Sequence, residues 1–401
     1  MSIITYFKFI IKASLVIFMG LFLAVNTIYG QDGDIGGDYM SGDYRQKLAD
    51  KGVGFEFVYS TELGYNAIGG VKQGGVSLSN FDMTLDLDME KLVGWTGGEI
   101  FIYGLHGFGG SPTALVGDWQ GTSNIETGMD YVKLYEAWVQ QSFGDGIVSV
   151  LFGLHDLNSE FYGNDPAGLF LNSSMGVGAE IAQTGLNGPS IFPSTAPALR
   201  VAVNPTENLY ILAGLYNARA GDPADPSATN ADFTFQDGFL YIGELGYYVE
   251  GDIKVAAGGW GYTSPELDMA TGKDATPYGA YLLFDKTFGE VFSVFVRGGL
   301  TNQNIYAVAY NIMEGIVLSG SLWNRPDDQL GLGASTIIAG TPYSDLVPLA
   351  DSAETSIELT YLLQLSPWFS LQPNFQYVLN PGLDPNLDDA LMIALRATIS
   401  F

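Results

Sequence analysis

Three groups of residues have the types and spacing to act on a solute. The first is an acidic ladder over 79–90, where Asp82, Asp86 and Asp88 share one face with Asn80, Thr84 and Glu90, while Phe81, Met83, Leu85, Leu87 and Met89 share the other. The second is the segment 156–197, which holds Asp156, Asn158, Glu160, Asn164, Asp165 and Asn172. Asp, Asn and Glu suit a sugar, whose hydroxyls both donate and accept hydrogen bonds. The third is Arg200, Arg297 and Arg396, each set between apolar or small neighbours. Arginine facing a carboxylate across a water-filled passage creates a transverse field that orients small polar solutes. The alternative is ion pairs that only satisfy each other.

Bond-making chemistry has few candidates. The two histidines are His106 and His155, and Ser111 near His106 is the single hint of a nucleophile, without the rest of a triad. With no cysteine, disulfides, thiolate catalysis and Cys-ligated metals are excluded. No histidine–acid pair has metal-ligand spacing, and Asp327-Asp328 resembles an acidic calcium ligand pair that the family resemblance described below implies to be a turn fixing two strands. The chain is therefore expected to be no enzyme and to need neither metal nor cofactor. With 44 acids against 16 bases and a net charge of −28, it lacks the clustered cations that phosphate backbones require, so nucleic acid is not an expected partner.

The elements that must carry these residues are strands. Alternation of period two is clearest in 79–90, 368–379 and 389–401. Noisier segments start near Val53, Gly98, Tyr131, Ile147, Ala198, Asn208, Phe239, Asp252, Pro277, Val291, Asn311, Asp328 and Glu354, giving about 16 strands. Short turns at 144–146, 204–206, 250–251, 288–289 and 366–367 alternate with long loops at 108–130, 156–197, 218–238 and 339–353. Every short turn lands on one side, which is the parity of an outer-membrane β-barrel. A segment as long as 156–197 inside a compact domain is expected to do something, here to fold inward and narrow the lumen. A soluble β-sandwich is the competing architecture. Against it stand the many polar residues on the hidden face and the Tyr and Phe near strand ends (Tyr59, Tyr103, Tyr131, Tyr216, Tyr247, Tyr248, Trp368 and Phe369), read as membrane-interface girdles.

Residues 1–30 differ from the rest. Lys8 and Lys12 precede an apolar run from Ala13 to Val25, and no acid occurs before Asp32. This reads as a signal peptide ending near Gly30, a permanent anchor helix being the alternative. Its removal takes away two lysines and no acid, leaving 14 − 44 = −30. Residues 31–50 form a lead-in with a short helical stretch around Arg45, Lys47 and Leu48, and 51–401 form the barrel. No later segment is long and apolar enough to span as a helix, which leaves a closed barrel as the spanning form.

Several short stretches resemble the carbohydrate-selective, OprB-like porins. They are Asp43-Tyr44-Arg45-Gln46-Lys47-Leu48 with Lys51-Gly52-Val53, then Asn66-Ala67-Ile68-Gly69-Gly70, and Leu87 to Leu92 with Gly94-Trp95 and Gly97-Gly98. Leu134 to Trp138, Gly153 to Phe161, and Arg325-Pro326-Asp327-Asp328 with Leu330 to Gly333 continue the series in order. The resemblance implies a 16-stranded antiparallel up-and-down transmembrane barrel, often trimeric, that passes sugars through a narrowed pore. It also adds Glu136 to the pore-lining candidates. The expected surroundings are outer-membrane lipid and lipopolysaccharide, and the expected cargo is small sugars or other small polar solutes. Two other readings stay open: a cation-favouring general porin, which the charge of −30 suits, and a plugged structural or surface-interaction barrel.

Overall fold

The computed structural model describes residues 43–401 except 223, 230 and 350. The expected signal peptide at 1–30 and the lead-in residues 31–42 lie outside the described residues. A short helix, Asp43–Ala49, comes first.

Sixteen strands then form one closed barrel. The first half comprises β1 (Val53–Ile68), β2 (Gly74–Asp88), β3 (Gly98–Gly109), β4 (Tyr131–Phe143), β5 (Val148–His155), β6 (Ala196–Val203), β7 (Leu209–Asn217) and β8 (Phe239–Val249). The second half begins with β9 (Ile253–Tyr262) and, beyond the two-residue strands β10 (Glu266–Leu267) and β11 (Asp274–Ala275), resumes at β12 (Tyr278–Phe288). It continues through β13 (Phe292–Thr301), β14 (Val308–Ser319), β15 (Gln329–Ala339), β16 (Ala353–Ser366), β17 (Phe369–Leu379) and β18 (Ala390–Ser400). β10 and β11 pair only with each other, in the loop between β9 and β12. All barrel neighbours are antiparallel, and β1 pairs with β18, so no edge is left open.

Alternation explains the wall. On β4, Val132 and Leu134 are exposed, 64% and 40%, while Lys133 and Tyr135 are buried, and a register shift at Tyr135 then turns Glu136 inward as well. On β16, Ile357 and Leu359 face out, whereas Glu354, Ser356, Glu358 and Thr360 are at most 1% exposed. An outer surface of exposed Phe152, Leu282, Leu332 and Phe375 beside a polar interior would be intolerable in water and is the arrangement a bilayer demands. The short connections collect at one end. In 144–146 all three residues, Gly144, Asp145 and Gly146, take positive φ, which the two glycines accept without strain.

Two sequence expectations shift. The second strand stops at Asp88, because Met89–Val93 is a helical turn, so Met89 and Glu90 leave the ladder. Tyr103, Tyr131 and Tyr216 belong to no interface girdle: the pleat turns them inward, where Tyr131 and Tyr216 are 5% and 0% exposed and Tyr103 bonds Asp82. Tyr247 and Trp368 do face outward.

Candidate functional site: a lumen narrowed by the third outer loop

The connection 156–195 between β5 and β6 folds into the barrel. It lays Leu157, Phe161, Tyr162, Leu169, Phe170, Met175 and Ile181 against Tyr216, Ile242, Trp260, Tyr281, Phe295, Met313 and Val317 of the wall, in one buried apolar cluster. Glycines make the seat: a Cβ on Gly331 or Gly333 would stand 2.8 Å from Leu169 or Phe170. The loop therefore sits closer to β15 than any other residue would let it.

A polar frame fixes the loop. Folding backbone into a lumen strands its N–H and C=O groups, and each needs a partner. The wall carboxylates supply acceptors. Glu358 accepts the N–H groups of Leu171 (2.7 Å) and Asn172 (3.0 Å). Glu244 accepts the N–H of Tyr162 (2.8 Å) and the hydroxyls of Tyr210 and Tyr281. Glu136 accepts the N–H of Asp156 (3.0 Å) and the Trp138 indole N–H (3.3 Å). The second outer loop is held likewise, with Glu354 accepting the N–H of Trp119.

Arg297 supplies donors in the opposite sense. Its guanidinium donates to the carbonyls of Tyr162 (2.9 Å), Gly176 (2.9 Å), Ser174 (3.1 Å) and Met175, and lies 5.1 Å from the Tyr162 ring centre. At 1% exposure it reaches no passing solute. Asn172, 0% exposed, caps the helical turn at 173–176 and donates to Ser356 and Gln376. Asn158 donates to the carbonyls of Phe161 and Gly176 within the loop. For Arg297, Asn172 and Asn158 the structure thus replaces solute contact with loop support, because each meets stranded backbone or wall groups.

The other candidates gather on the β1–β6 side. Asp82 accepts from the Tyr103 hydroxyl and from Asn80, both at 2.6 Å. Tyr103 meets Tyr135 edge-on at 4.9 Å, and Tyr135 donates to Asp156 at 2.6 Å. Asp86 lies on the same face, diagonal to Glu99 of β3. Glu99 accepts from Gln140 (2.8 Å), and Gln140 accepts from Arg200 (2.5 Å). Arg200 grips Glu160 of the loop through Nε (2.6 Å) and a second nitrogen (2.7 Å), and also donates to Ser149. Arg396 pairs with Glu62 at 2.8 Å across the β1–β18 junction and touches Ser123 of the second loop. Asp88 departs from the ladder: it caps the turn Met89–Val93, accepting from the N–H groups of Glu90 and Lys91, and is exposed at the rim.

Charge in the inserted loop is tuned by its surroundings. Burial pushes the Asp156 carboxyl up to about 6, opposed by the Tyr135 and Asn158 hydrogen bonds. Burial raises Glu160 too, with Arg200 pulling the other way. Glu180, 1% exposed, is pushed up to about 7 by burial, with the nearby Tyr162 hydroxyl and Arg297 pulling it down. Outside the lumen, Asp328 accepts from Arg325 and the Tyr361 hydroxyl, both at 2.5 Å, and from the N–H of Gln364, which joins the β14–β15 turn to β16. The site's missed residues are Glu62, Glu99, Tyr103, Gln140, Glu244, Glu354 and Glu358. Strand alternation could have placed each of them inward except Gln140, which lies beyond the register shift at Tyr135 of β4.

Comparison with known proteins agrees with this geometry. The model of the carbohydrate-selective porin, OprB family, matches residues 72–401. Porin B of Pseudomonas aeruginosa is 23% identical over 420 residues, covering 90% of this chain and 91% of that protein. The high-pH structure of Pseudomonas putida OprB superposes with a TM-score of 0.77 at 20% identity, covering 89% of this chain and 96% of that one. The outer membrane channel DcaP of Acinetobacter baumannii gives 0.56 at 12% identity, covering 87% and 97%.

Proposed function

The chain belongs to the carbohydrate-selective porins of the OprB family, and from that premise we propose that its own lumen selects small neutral sugars at the gap between the third outer loop and the β1–β6 wall. It is an outer-membrane porin, and small polar solutes pass through it. The observation that carries the finer reading is the half-buried polar face that β1–β6 turns inward, with the third loop tied beside it. Asp82, Asp86, Glu99 and Tyr103 stand on the wall, and the Arg200–Glu160 pair ties the loop to it. Carboxylates accept from sugar hydroxyls, Gln140 and Tyr103 can exchange partners with them, and an anion meets mostly negative charge. Sugar-induced block of single-channel current in planar bilayers tests this. Concentration-dependent block by monosaccharides supports it, and steady current at all sugar concentrations refutes it.

The acidic lining also favours cations over anions among the ions that pass, which reversal potentials would read. The apolar outer face is proposed to meet lipid and lipopolysaccharide directly. A homotrimer is the proposed assembly, tested by the mass of the detergent-solubilised protein. The segment 1–30 is proposed as the export signal, tested by N-terminal sequencing of protein from outer membranes: a start near Gln31 supports it and an intact Met1 refutes it.

A further inference from the structure

A second enclosure lies inside the barrel, away from the gap. A cavity of about 210 Å³ sits near the short-turn ends of β8, β9, β12 and β13 and is bounded on the loop side by Asp165, Pro166 and Leu169. Short turns face the periplasm in barrels of this kind. The cavity shares Thr287, Ser293, Val317 and Gln329 with a wider recess of about 480 Å³ that runs past Glu290 and Ser321 at the turns.

Its polar groups are poised for a guest. Asp285 is 6% exposed, and its Oδ2 has no hydrogen-bond partner. Lys254 is its direct cross-strand neighbour. That ammonium instead donates to the Gly163 carbonyl at 2.8 Å, and among the described residues Asp285 forms no ion pair. Asp165 precedes the helical turn Pro166–Leu169, yet its side chain caps nothing there. Two carboxylates thus keep acceptor capacity in one small space. Tyr248, Thr287, Ser293 and Gln329 add groups that both donate and accept, while Pro166, Leu169 and Val317 add an apolar wall.

This lining discriminates among guests. An anion is repelled by the carboxylates. Among the described residues no group of three or more His, Cys, Asp or Glu is placed to hold a metal ion. A sugar fits: its hydroxyls are donors for the acids, its hydroxyl and ring oxygens accept from hydroxyls and amide, and its C–H face suits the apolar wall. The volume lies below the ~300 Å³ floor of drug-sized pockets, which points to one monosaccharide. We infer that this cavity is a sugar-binding station on the periplasmic side of the gap, where Asp285 and Asp165 accept hydrogen bonds from hydroxyls of a neutral monosaccharide.

The inference rests on the sugar-passing reading, and one experiment separates the two. Full-length protein is placed in a planar bilayer with known orientation, and glucose is added to either side while single-channel block is timed. Asp285→Asn and Asp165→Asn should each shorten glucose dwell from the short-turn side by about tenfold, the worth of one charge-assisted hydrogen bond. Dwell from the long-loop side should change less. Unchanged dwell in both variants, with the wild type still blocked, overturns the station and leaves the sugar reading intact. A wild type that glucose never blocks overturns the sugar reading itself. A shifted reversal potential with unaltered glucose dwell makes the cavity a cation site and also overturns the proposal. Should Asp285→Asn fail to assemble, Asp165→Asn, on the exposed tip of the loop, decides alone.

Discussion

The two halves of the lumen use the same inward positions differently. On β7–β17, inward side chains meet the inserted loop: aromatic and aliphatic residues pack under it, and Glu244, Arg297, Asn311 and Glu358 bind its backbone. On β1–β6, half-buried Asp82, Asp86, Glu99 and Gln140 bond mainly to each other's neighbours and keep water access. The lesson is that charge inside a barrel does not by itself mark a solute path. A guanidinium held by four carbonyls is scaffold; Arg200, 3% exposed, is buried as well, and it is its partner Glu160, 27% exposed, that keeps access to water.

Removing residues 158–172 is the most drastic way to break this contrast. It should strip the covered half bare, raise conductance severalfold and abolish sugar block together. Unchanged conductance in an assembled barrel would place the loop outside the path. Arg297→Met is the next largest. It leaves the carbonyls of Tyr162, Ser174, Met175 and Gly176 without their donor, and should cost on the order of 3–5 kcal/mol with noisy, enlarged channels. Thermal unfolding followed by gel mobility, together with single-channel recording, checks both effects.

Glu180 sharpens the covered half through pH. Its carboxyl is raised to about 7, so the stabilisation it brings is fully present below about 4.5 and is lost as pH rises through 7. Glu180→Gln should therefore steady the loop at pH 8 by on the order of 3 kcal/mol and flatten the pH dependence. Hydrogen exchange over 173–184 reads the change. Asp156, raised to about 6, gives a smaller trend of the same sign. Glu358→Gln should cost about 1–2 kcal/mol, because an amide nitrogen then faces one backbone N–H. Asp86→Asn, on the open half, should leave unfolding unchanged and lower cation preference by a modest reversal-potential shift. That shift should shrink as salt shortens the ~10 Å screening length.

The barrel was legible because alternation is a local property: Phe81 to Leu87 and Phe375 to Leu379 declare one face apolar without knowledge of their partners. Turn parity then gave the two ends. The inward fold of the third loop was legible from its length and its polar content. What occupied each inward position was not. Arg200 and Arg297 look alike in sequence, each between strand residues of small or apolar type. One ends beside Gln140 and Glu160, the other under Tyr162. The loop's path is set by wall contacts more than a hundred residues away, such as those of Leu171 with Glu358 and Ala179 with Asn311. Asp88 escaped for a local reason: its strand ends there and its carboxylate caps the next turn.

The junction of β1 and β18 has a consequence for assembly. It pairs Val58 with Ser400 and Glu62 with Arg396, residues far apart along the chain, and such distant pairings form late. Until they form, both terminal strands offer unpaired edges to any other chain. The ion pair and the Ser60–Thr398 hydrogen bond then act as a key for closure. A slip of one residue would turn Arg396 into lipid and strand Glu62, so only one register of the closing strand is affordable in a bilayer.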